Sequence, residues 1–171
     1  RSAAPAHIEE LKPHMTEPVP DNPGVIARPP RLYLSFMAAG FALDWWRPIA
    51  LIPEQWLQYV LGGMLITAGG AISSSAFKRF MRAGTNIPTP LPTTALVSDG
   101  IYGISRNPIY VSMSLIHAGI AIAADNIWML GLLVPLLIVM RYGVIAREEA
   151  YLEGKFGEPY VAYKSKVRRW L

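Results

Sequence analysis

The chain has 171 residues with a formal net charge of +4, and 52% of its residues are apolar. These values fit one domain and do not by themselves separate a membrane protein from a soluble one. The lack of cysteine excludes disulfides and thiolate chemistry, three scattered histidines do not suit a metal site, and no basic, aromatic-rich run suggests nucleic acid.

The first 30 residues are predicted to be an N-terminal tail. They contain seven prolines, and proline in a helix interior removes a backbone hydrogen bond and clashes with the preceding turn. A short turn around Ile8 to Leu11 could touch a bilayer surface, or the whole tail could be a disordered leader. Residues 31–171 would then form the folded domain.

The first two predicted membrane spans precede the middle of the chain. Residues 56–77 form a run of 22 residues without a charge, which is enough for the roughly 20 that a crossing needs. Residues 32–43 are fewer, so a helix there would either start near Pro29 and finish on interfacial tryptophans, or lie on the surface; we favour a span. In the second span a repeat of small residues predicts the face that packs against a neighbouring helix: Gly63, Thr67, Ala71 and Ser75.

Two further spans follow in the second half of the chain. Residues 110–124 and 127–140 run uncharged for 15 and 14 residues, whereas a crossing needs at least about 17. The third helix is therefore predicted to begin at Pro108. The fourth would follow a capping turn at Asp125 and Asn126, could bend at Pro135, and would continue beyond the membrane. The pattern predicts an all-α polytopic membrane protein with about four transmembrane helices.

The positions of the basic residues predict the orientation. Of the 16 lysines and arginines, only Arg47 lies between the first two spans, and none lies between the third and the fourth. Since basic residues accumulate on the cytoplasmic side, both termini and the central loop are predicted to be cytoplasmic, as in a bacterial inner-membrane protein. The C-terminal end predicts an interfacial helix on an anionic bilayer surface, with its basic residues Lys164, Lys166, Arg168 and Arg169.

The loop that enters the third span, residues 98–110, is where we place the chemistry. Pro108 favours a helix start, so Arg106 and Asn107 would lie at a helix N-terminus, where an anionic group is favoured. The acidic pair Glu148 and Glu149 would emerge on the same side of the membrane, and a helical hairpin would bring it to Arg106. These groups either enclose a ligand or form an ion pair that only holds the loop to the helix.

Three sequence motifs in a fixed order carry a resemblance to a known family. Residues 80–86 read FMRAGTN, residues 99–110 read DGIYGISRNPIY, and residues 148–163 read EEAYLEGKFGEPYVAY. This combination resembles the isoprenylcysteine carboxyl methyltransferases and phospholipid methyltransferases over about residues 77–171. The resemblance implies an integral membrane enzyme that uses S-adenosylmethionine, with its catalytic part and a cytoplasmic cofactor pocket in that region.

The resemblance also implies which residues form the pocket. Glu148 and Glu149 would lie on one side of the cofactor, and the other side would be built by Arg106, Asn107, Pro108 and Tyr110. Members of the family often have histidine at the position of Asn107, so this chain offers an amide there and no imidazole. No glycine-rich strand-to-helix fingerprint is present, which argues against a Rossmann methyltransferase domain.

The chemistry of the cofactor agrees with this set of residues. Arg106 suits the cofactor carboxylate, and Glu148 or Glu149 suits its ammonium or ribose. Tyr102 and Tyr110 could wall the adenine. Arg106 and Glu149 are the predicted catalytic residues, since an ammonium acceptor must lose a proton and Glu149 is the nearest candidate base. The acceptor is expected to be a lipid-like or hydrophobic molecule that carries a carboxylate, amine or thiol, and the product of the cofactor is S-adenosylhomocysteine.

Other readings of the same residues are kept open. An NADPH-dependent enzyme resembling the sterol reductases would share a similar membrane architecture, and a membrane adaptor or small channel would need no cofactor. His117 is interpreted as a core histidine bonded to another helix in preference to a proton relay or substrate contact. Tyr160 and Tyr163 are interpreted as packing the last helix onto the central loop.

Overall fold

In a computed structural model of the chain, the structure describes residues 21–85 and 92–171. The regular elements in these residues are helices, which confirms the all-α prediction for this part of the chain: α1 (Pro29–Trp46), α2 (Gln55–Ala83), α3 (Pro108–Ala123), α4 (Ile127–Val139), α5 (Ala146–Phe156) and α6 (Glu158–Lys166). A π-helical segment, Met140–Ile145, joins α4 to α5 without a break. The proposed surface contact of Ile8 to Leu11 lies outside the described residues.

Two helices in the described ranges are long and apolar enough to cross a membrane, namely α2 and the continuous helix Ile127–Phe156. The third apolar helix, α3, has 16 residues, and α1 has 18. α1 begins at Pro29 and ends at Trp46, as the first of the two sequence interpretations expected. Whether α1 and α3 also cross the membrane stays a prediction.

The helices form two antiparallel pairs that pack against each other. In the first pair, Gly40 of α1 lies against the backbone of Met129 in α4, while the Ile26 amide donates to the Gly143 carbonyl at 3.2 Å. α3 joins the pairs, because it packs against both α2 and α4. The hydroxyl of Tyr33 in α1 lies 2.7 Å from that of Ser114 in α3.

α2 and α3 form the second pair, and glycine brings their backbones together. A Cβ atom at Gly62 would lie 2.6 Å from the Gly119 carbonyl oxygen, and one at Gly119 would lie 2.7 Å from the Gly62 carbonyl oxygen. At such distances any side chain larger than hydrogen would force one of the two helices to shift. Because the two backbones approach so closely, many atom pairs along both helices lie within van der Waals contact, which stabilises the pair.

The predicted packing face of α2 is wrong. Thr67 and Ala71 are exposed, and a Cβ at Gly63 would meet no atom within 4 Å. The buried face instead has small residues seven positions apart, namely Gly62, Gly69 and Ala76. The two glycines face α3, and Ala76 packs with Tyr102 of the central loop. Both stripes consist of small residues, so composition alone could not distinguish them.

The end of the molecule remote from the central loop is held by a polar turn, as predicted. Asp125 accepts hydrogen bonds from the amides of Leu51 and Ile52 at 2.8 and 2.9 Å, which ties the α1–α2 connection to the α3–α4 turn. The Asn126 side chain caps α4 by accepting from the Met129 amide at 2.8 Å. His117 bonds the Met129 carbonyl at 3.1 Å, so its predicted bond to another helix is present.

The chain ends differ from expectation in one respect. The predicted C-terminal helix was to include Arg168 and Arg169, but α6 ends at Lys166 and the backbone of Val167 is extended. Arg168 then pairs with Ser105 of the central loop as an isolated parallel β-bridge. The Arg168 carbonyl accepts a hydrogen bond from the Arg106 amide in the central loop, in place of the bond that a longer helix would have provided. The last residues of the chain therefore lie against the central loop.

Candidate functional site

The structure places all seven predicted site residues around one cavity of about 630 Å³. The volume lies in the range of pockets that hold small organic ligands, about 300 to 1,000 Å³. The residues come from the central loop, from the start of α3 and from α5, and they are Tyr102, Arg106, Asn107, Pro108, Tyr110, Glu148 and Glu149. Their convergence follows from the hairpin of α3 with the helix that contains α4 and α5.

Short-range contacts fix the central loop over the end of α2. Gly100 has a positive φ of 59°, and a Cβ there would collide with the Arg79 guanidinium, which is paired with Asp99. The ring of Tyr102 packs edge-on against Phe80 with 5.3 Å between centroids. These contacts turn the Tyr102 ring toward the cavity.

α6 also contributes to the loop. The hydroxyl of Tyr163 donates to the Tyr102 carbonyl at 2.7 Å, as the packing interpretation expected, and both Tyr160 and Tyr163 line the cavity. Burial raises the pKa of Tyr163 to about 12, and it raises the pKa of Tyr102 and Tyr160 further. All three hydroxyls are therefore neutral at physiological pH, and the rings give the cavity an uncharged aromatic wall.

Arg106 is almost completely buried and is held on two sides. Its guanidinium donates to the Lys164 carbonyl at 3.0 Å and pairs with a Glu149 oxygen at 2.9 Å. The Nε atom is buried and has no hydrogen-bond partner within the described ranges. Leaving a buried donor unsatisfied costs about 1 to 3 kcal/mol, so this edge of the guanidinium is poorly compensated by the described residues.

Glu149 is the more heavily engaged of the two acidic residues. Arg169 binds both of its oxygens, with Nε at 3.0 Å from Oε1 and Nη2 at 2.6 Å from Oε2. Together with Arg106, this places two guanidinium groups on one buried carboxylate. The hydrogen bond to Glu149 is the main cause that raises the pKa of Arg169.

Sequence reasoning missed Arg169 as a part of this cluster. It lies 20 residues from Glu149 in a basic stretch that resembles any membrane-surface segment. The Arg169 carbonyl also accepts a hydrogen bond from the Asn107 side chain at 2.9 Å. No local pattern distinguishes Arg169 from its neighbour Arg168, and only the fold shows which of them turns inward.

Glu148 has a different environment from its neighbour. It is 5% exposed and accepts a hydrogen bond from the Tyr110 hydroxyl at 2.7 Å. No cation pairs with it among the residues that the structure describes. Buried charges in proteins are normally paired, so Glu148 favours a positively charged group in the cavity.

The rest of the cavity wall is mainly apolar and reaches into the helical region. The lining there includes Pro29 from α1, Phe77 from α2, Met113 from α3 and Leu152 from α5. Thr93, in the connection after α2, also lines the cavity, and its buried hydroxyl has no hydrogen-bond partner in the described part of the chain. The cavity thus joins the charged cluster to a mainly apolar wall that also carries Arg28 and Arg31 at the start of α1.

The sequence pattern of the phospholipid methyltransferase family matches residues 57–159. The chain belongs to this family. The match covers α2, α3, α4, α5 and the central loop, and it includes Arg106, Glu148 and Glu149. Family membership and the two long apolar helices together indicate a membrane methyltransferase, which confirms the resemblance seen in the three motifs.

A protein of Haemophilus influenzae described as uncharacterized is 42% identical over an alignment of 69 residues, and this alignment covers 37% of this chain and all of that protein. No solved structure matches the chain. Two parts of the site lie outside the residues that the phospholipid methyltransferase pattern matches. The start of α1 lines the cavity, and Arg169 lies next to it, bonded to Glu149.

Proposed function

We propose that this chain transfers a methyl group from S-adenosylmethionine to a lipid-like or hydrophobic acceptor at the cytoplasmic surface of the membrane. The observation that carries the proposal is Glu148, a buried carboxyl group that lines the cavity and has no cation paired with it among the residues that the structure describes. S-adenosylmethionine brings two positive charges, an ammonium and a sulfonium. Either charge would compensate Glu148 at a site that water reaches poorly.

The residues present fit the cofactor in other respects. Arg106 lines the cavity, so its guanidinium can pair with the cofactor carboxylate, and Thr93 is a further polar residue of the lining. Tyr102 and Tyr110 supply aromatic surface for the adenine. When bound, S-adenosylmethionine supplies a methyl group made electrophilic by the sulfonium, and the protein has to align the acceptor and exclude water.

The environments of the two glutamates suggest separate roles. Glu149 was the predicted base, but its oxygens accept two hydrogen bonds from Arg169 and pair with the Arg106 guanidinium, so protein groups already occupy them. We therefore assign Glu149 to positioning Arg106, and Glu148 to pairing with a positive group or taking a proton from an amine acceptor. A carboxylate or thiolate acceptor would need no base.

The acceptor is proposed to enter from the membrane. α1 packs against α4 and α2 packs against α3, and the cavity lies between the start of α1 and the end of α2, where Pro29 and Phe77 line it. A hydrophobic chain could lie along this apolar wall while its polar end reaches Glu148. The cofactor, which is water-soluble, would enter from the cytoplasmic side.

Calorimetry on purified protein in detergent tests the proposal. We expect S-adenosylmethionine and S-adenosylhomocysteine to bind, and NADPH not to bind. Membranes that contain the protein, incubated with a methyl-labelled donor, should transfer label to an extractable hydrophobic molecule. Protein that binds NADPH but neither adenosyl compound would contradict the proposed function.

A further inference from the structure

We propose that Arg169 is a positioning residue of the cofactor site, which keeps the positive charge of Arg106 free to bind the carboxylate of the cofactor. The inference rests on the proposed function, because it concerns how that cofactor is recognised. It extends the site beyond residues 57–159, which match the family. Three observations carry it, namely the backbone contacts of the C-terminal segment, the geometry of the Arg169 side chain, and the charges around Arg106.

The C-terminal segment, residues 167–171, is bonded to the part of the central loop that lines the cavity. The Arg168 carbonyl accepts from the Arg106 amide at 2.9 Å, and the Arg169 carbonyl accepts from the Asn107 side chain at 2.9 Å. The Ser105 hydroxyl also donates to the Arg169 carbonyl, at 3.5 Å. Three consecutive loop residues are therefore held by two consecutive residues of the segment.

The Arg169 side chain reaches past the loop to Glu149. Its fork contacts both carboxylate oxygens, at 3.0 and 2.6 Å, and the Glu149 side chain is only 7% exposed. Planar two-point pairing of this kind fixes orientation as well as charge. Arg169 itself does not line the cavity, so it can influence a ligand only through Glu149 and Arg106.

The charges explain what this pairing achieves. With Glu149 and Arg106 alone, one negative charge would cancel one positive charge, and Arg106 would attract a ligand carboxylate weakly. Arg169 adds a second positive charge, so the three groups together carry one net positive charge beside the Glu148 carboxyl group, which a cationic ligand would keep ionised. A positive and a negative region side by side complement the amino-acid part of S-adenosylmethionine, which has a carboxylate and an ammonium.

The inference predicts that Arg169 affects recognition of the amino-acid part of the ligand and not recognition of its adenosine part. In Arg169→Gln, affinity for S-adenosylhomocysteine should fall at least about tenfold, since a charge-assisted contact is weakened. Affinity for 5′-methylthioadenosine, which lacks the amino-acid part, should change less than about twofold. Calorimetry with both compounds on the purified full chain measures the difference, and a thermal melt shows whether the variant is folded.

Two further variants sharpen the test. Lys166→Gln removes the same charge from an exposed residue at the end of α6 and should leave both affinities unchanged. The double variant Glu149→Gln with Arg169→Gln removes one charge of each sign, leaves Arg106 positive, and should recover part of the lost affinity for S-adenosylhomocysteine. Recovery in the double variant is an outcome that a merely structural role for Arg169 does not predict.

Each remaining outcome has a defined meaning. If folded Arg169→Gln loses affinity equally for both compounds, or for neither, the inference is wrong. In that case binding of the compounds by wild-type protein still supports the proposed function. Wild-type protein that binds neither compound would overturn the proposed function itself, and the inference with it. The wild-type measurement thus separates the two failures.

Discussion

At the residue scale, two adjacent glutamates in one helix turn have opposite surroundings. Glu149 is held by two arginines, whereas the Tyr110 hydroxyl is the partner of Glu148 within residues 21–85 and 92–171. Successive residues of a helix point about 100° apart, so one can face the C-terminal segment while the other faces the start of α3. The two side chains should therefore respond differently to the same substitution.

Glu148→Gln should weaken binding of S-adenosylmethionine with little effect on stability. The amide can still accept from Tyr110, but the negative charge opposite the cofactor is lost, at a cost of about 2 to 5 kcal/mol of binding free energy if the pair is fully buried. Calorimetry measures this change. Glu153→Gln, on the same helix in a partly exposed pair with Lys164, is the matched control; equal weakening in both variants would contradict the role of Glu148.

Glu149→Gln should instead destabilise the fold. The substitution removes the charge that two arginines share, and hydrogen bonds to charged groups contribute about 1.5 to 3 kcal/mol each. The contribution of the Arg169 pair is smaller than this, because the Arg169 side chain is 29% exposed and solvent screens the interaction. Thermal unfolding in detergent should show a lower midpoint than for Glu148→Gln, and the opposite order would argue against the assignment of the two residues.

At the element scale, the contact between α2 and α3 depends on glycine at specific positions. Gly62 and Gly119 face each other through their backbones, while a Cβ atom at the adjacent Gly63 would meet no described residue within 4 Å. The distance between two helix axes follows from the largest group between them, so one added methyl group has to push the helices apart or bend one of them. The end of α2 and the start of α3 both border the cavity, and a shift here would reach the site.

Gly62→Ala should destabilise the protein by about 1 to 3 kcal/mol, the usual cost of an overpacked contact. Gly63→Ala should be neutral or slightly stabilising, because alanine favours helix over glycine and nothing lies within 4 Å of the new atom. Chemical denaturation in mild detergent, followed by circular dichroism, measures both variants. Equal effects at the two positions would contradict the packing described for α2 and α3.

At the scale of the whole molecule, the cavity lies at the end of the bundle where most basic residues are. The opposite end is closed by Asp125 and Asn126, which bind the neighbouring turn and cap α4. The positive-inside rule then predicts that the cavity end faces the cytoplasm. This arrangement would let a soluble cofactor and a membrane-held acceptor reach the same cavity by different routes.

The natural absence of cysteine makes this topology directly testable. Ala50→Cys would place a single thiol in the exposed turn after α1, and Ser165→Cys would place one on the exposed face of α6. A membrane-impermeant thiol reagent should label the first variant from the periplasmic side and the second from the cytoplasmic side only. Labelling of both variants from one side would exclude the four-span topology.

Local signals in the sequence were sufficient for most helix boundaries and for the expectation that Arg106 lies near the acidic pair. Helix starts at Pro29 and Pro108, the cap at Asn126 and the apolar runs are encoded within a few residues, and so they are readable without the fold. The approach of Arg106 to the acidic pair followed from a short turn between two long helices. Proline also suggested a bend at Pro135, but Pro135 lies within α4, and the change of helix type begins at Met140.

The sequence by itself determined an all-helical membrane methyltransferase with its polar residues gathered at one end. Only the tertiary structure decided which glycines touch, that Arg169 joins Arg106 on Glu149, and that Glu148 is left without a cation in the described residues. The physical reason is the range of the interactions. Helix formation and hydropathy depend on neighbours in sequence, whereas a close backbone contact or a buried charge pair depends on groups that meet only after folding.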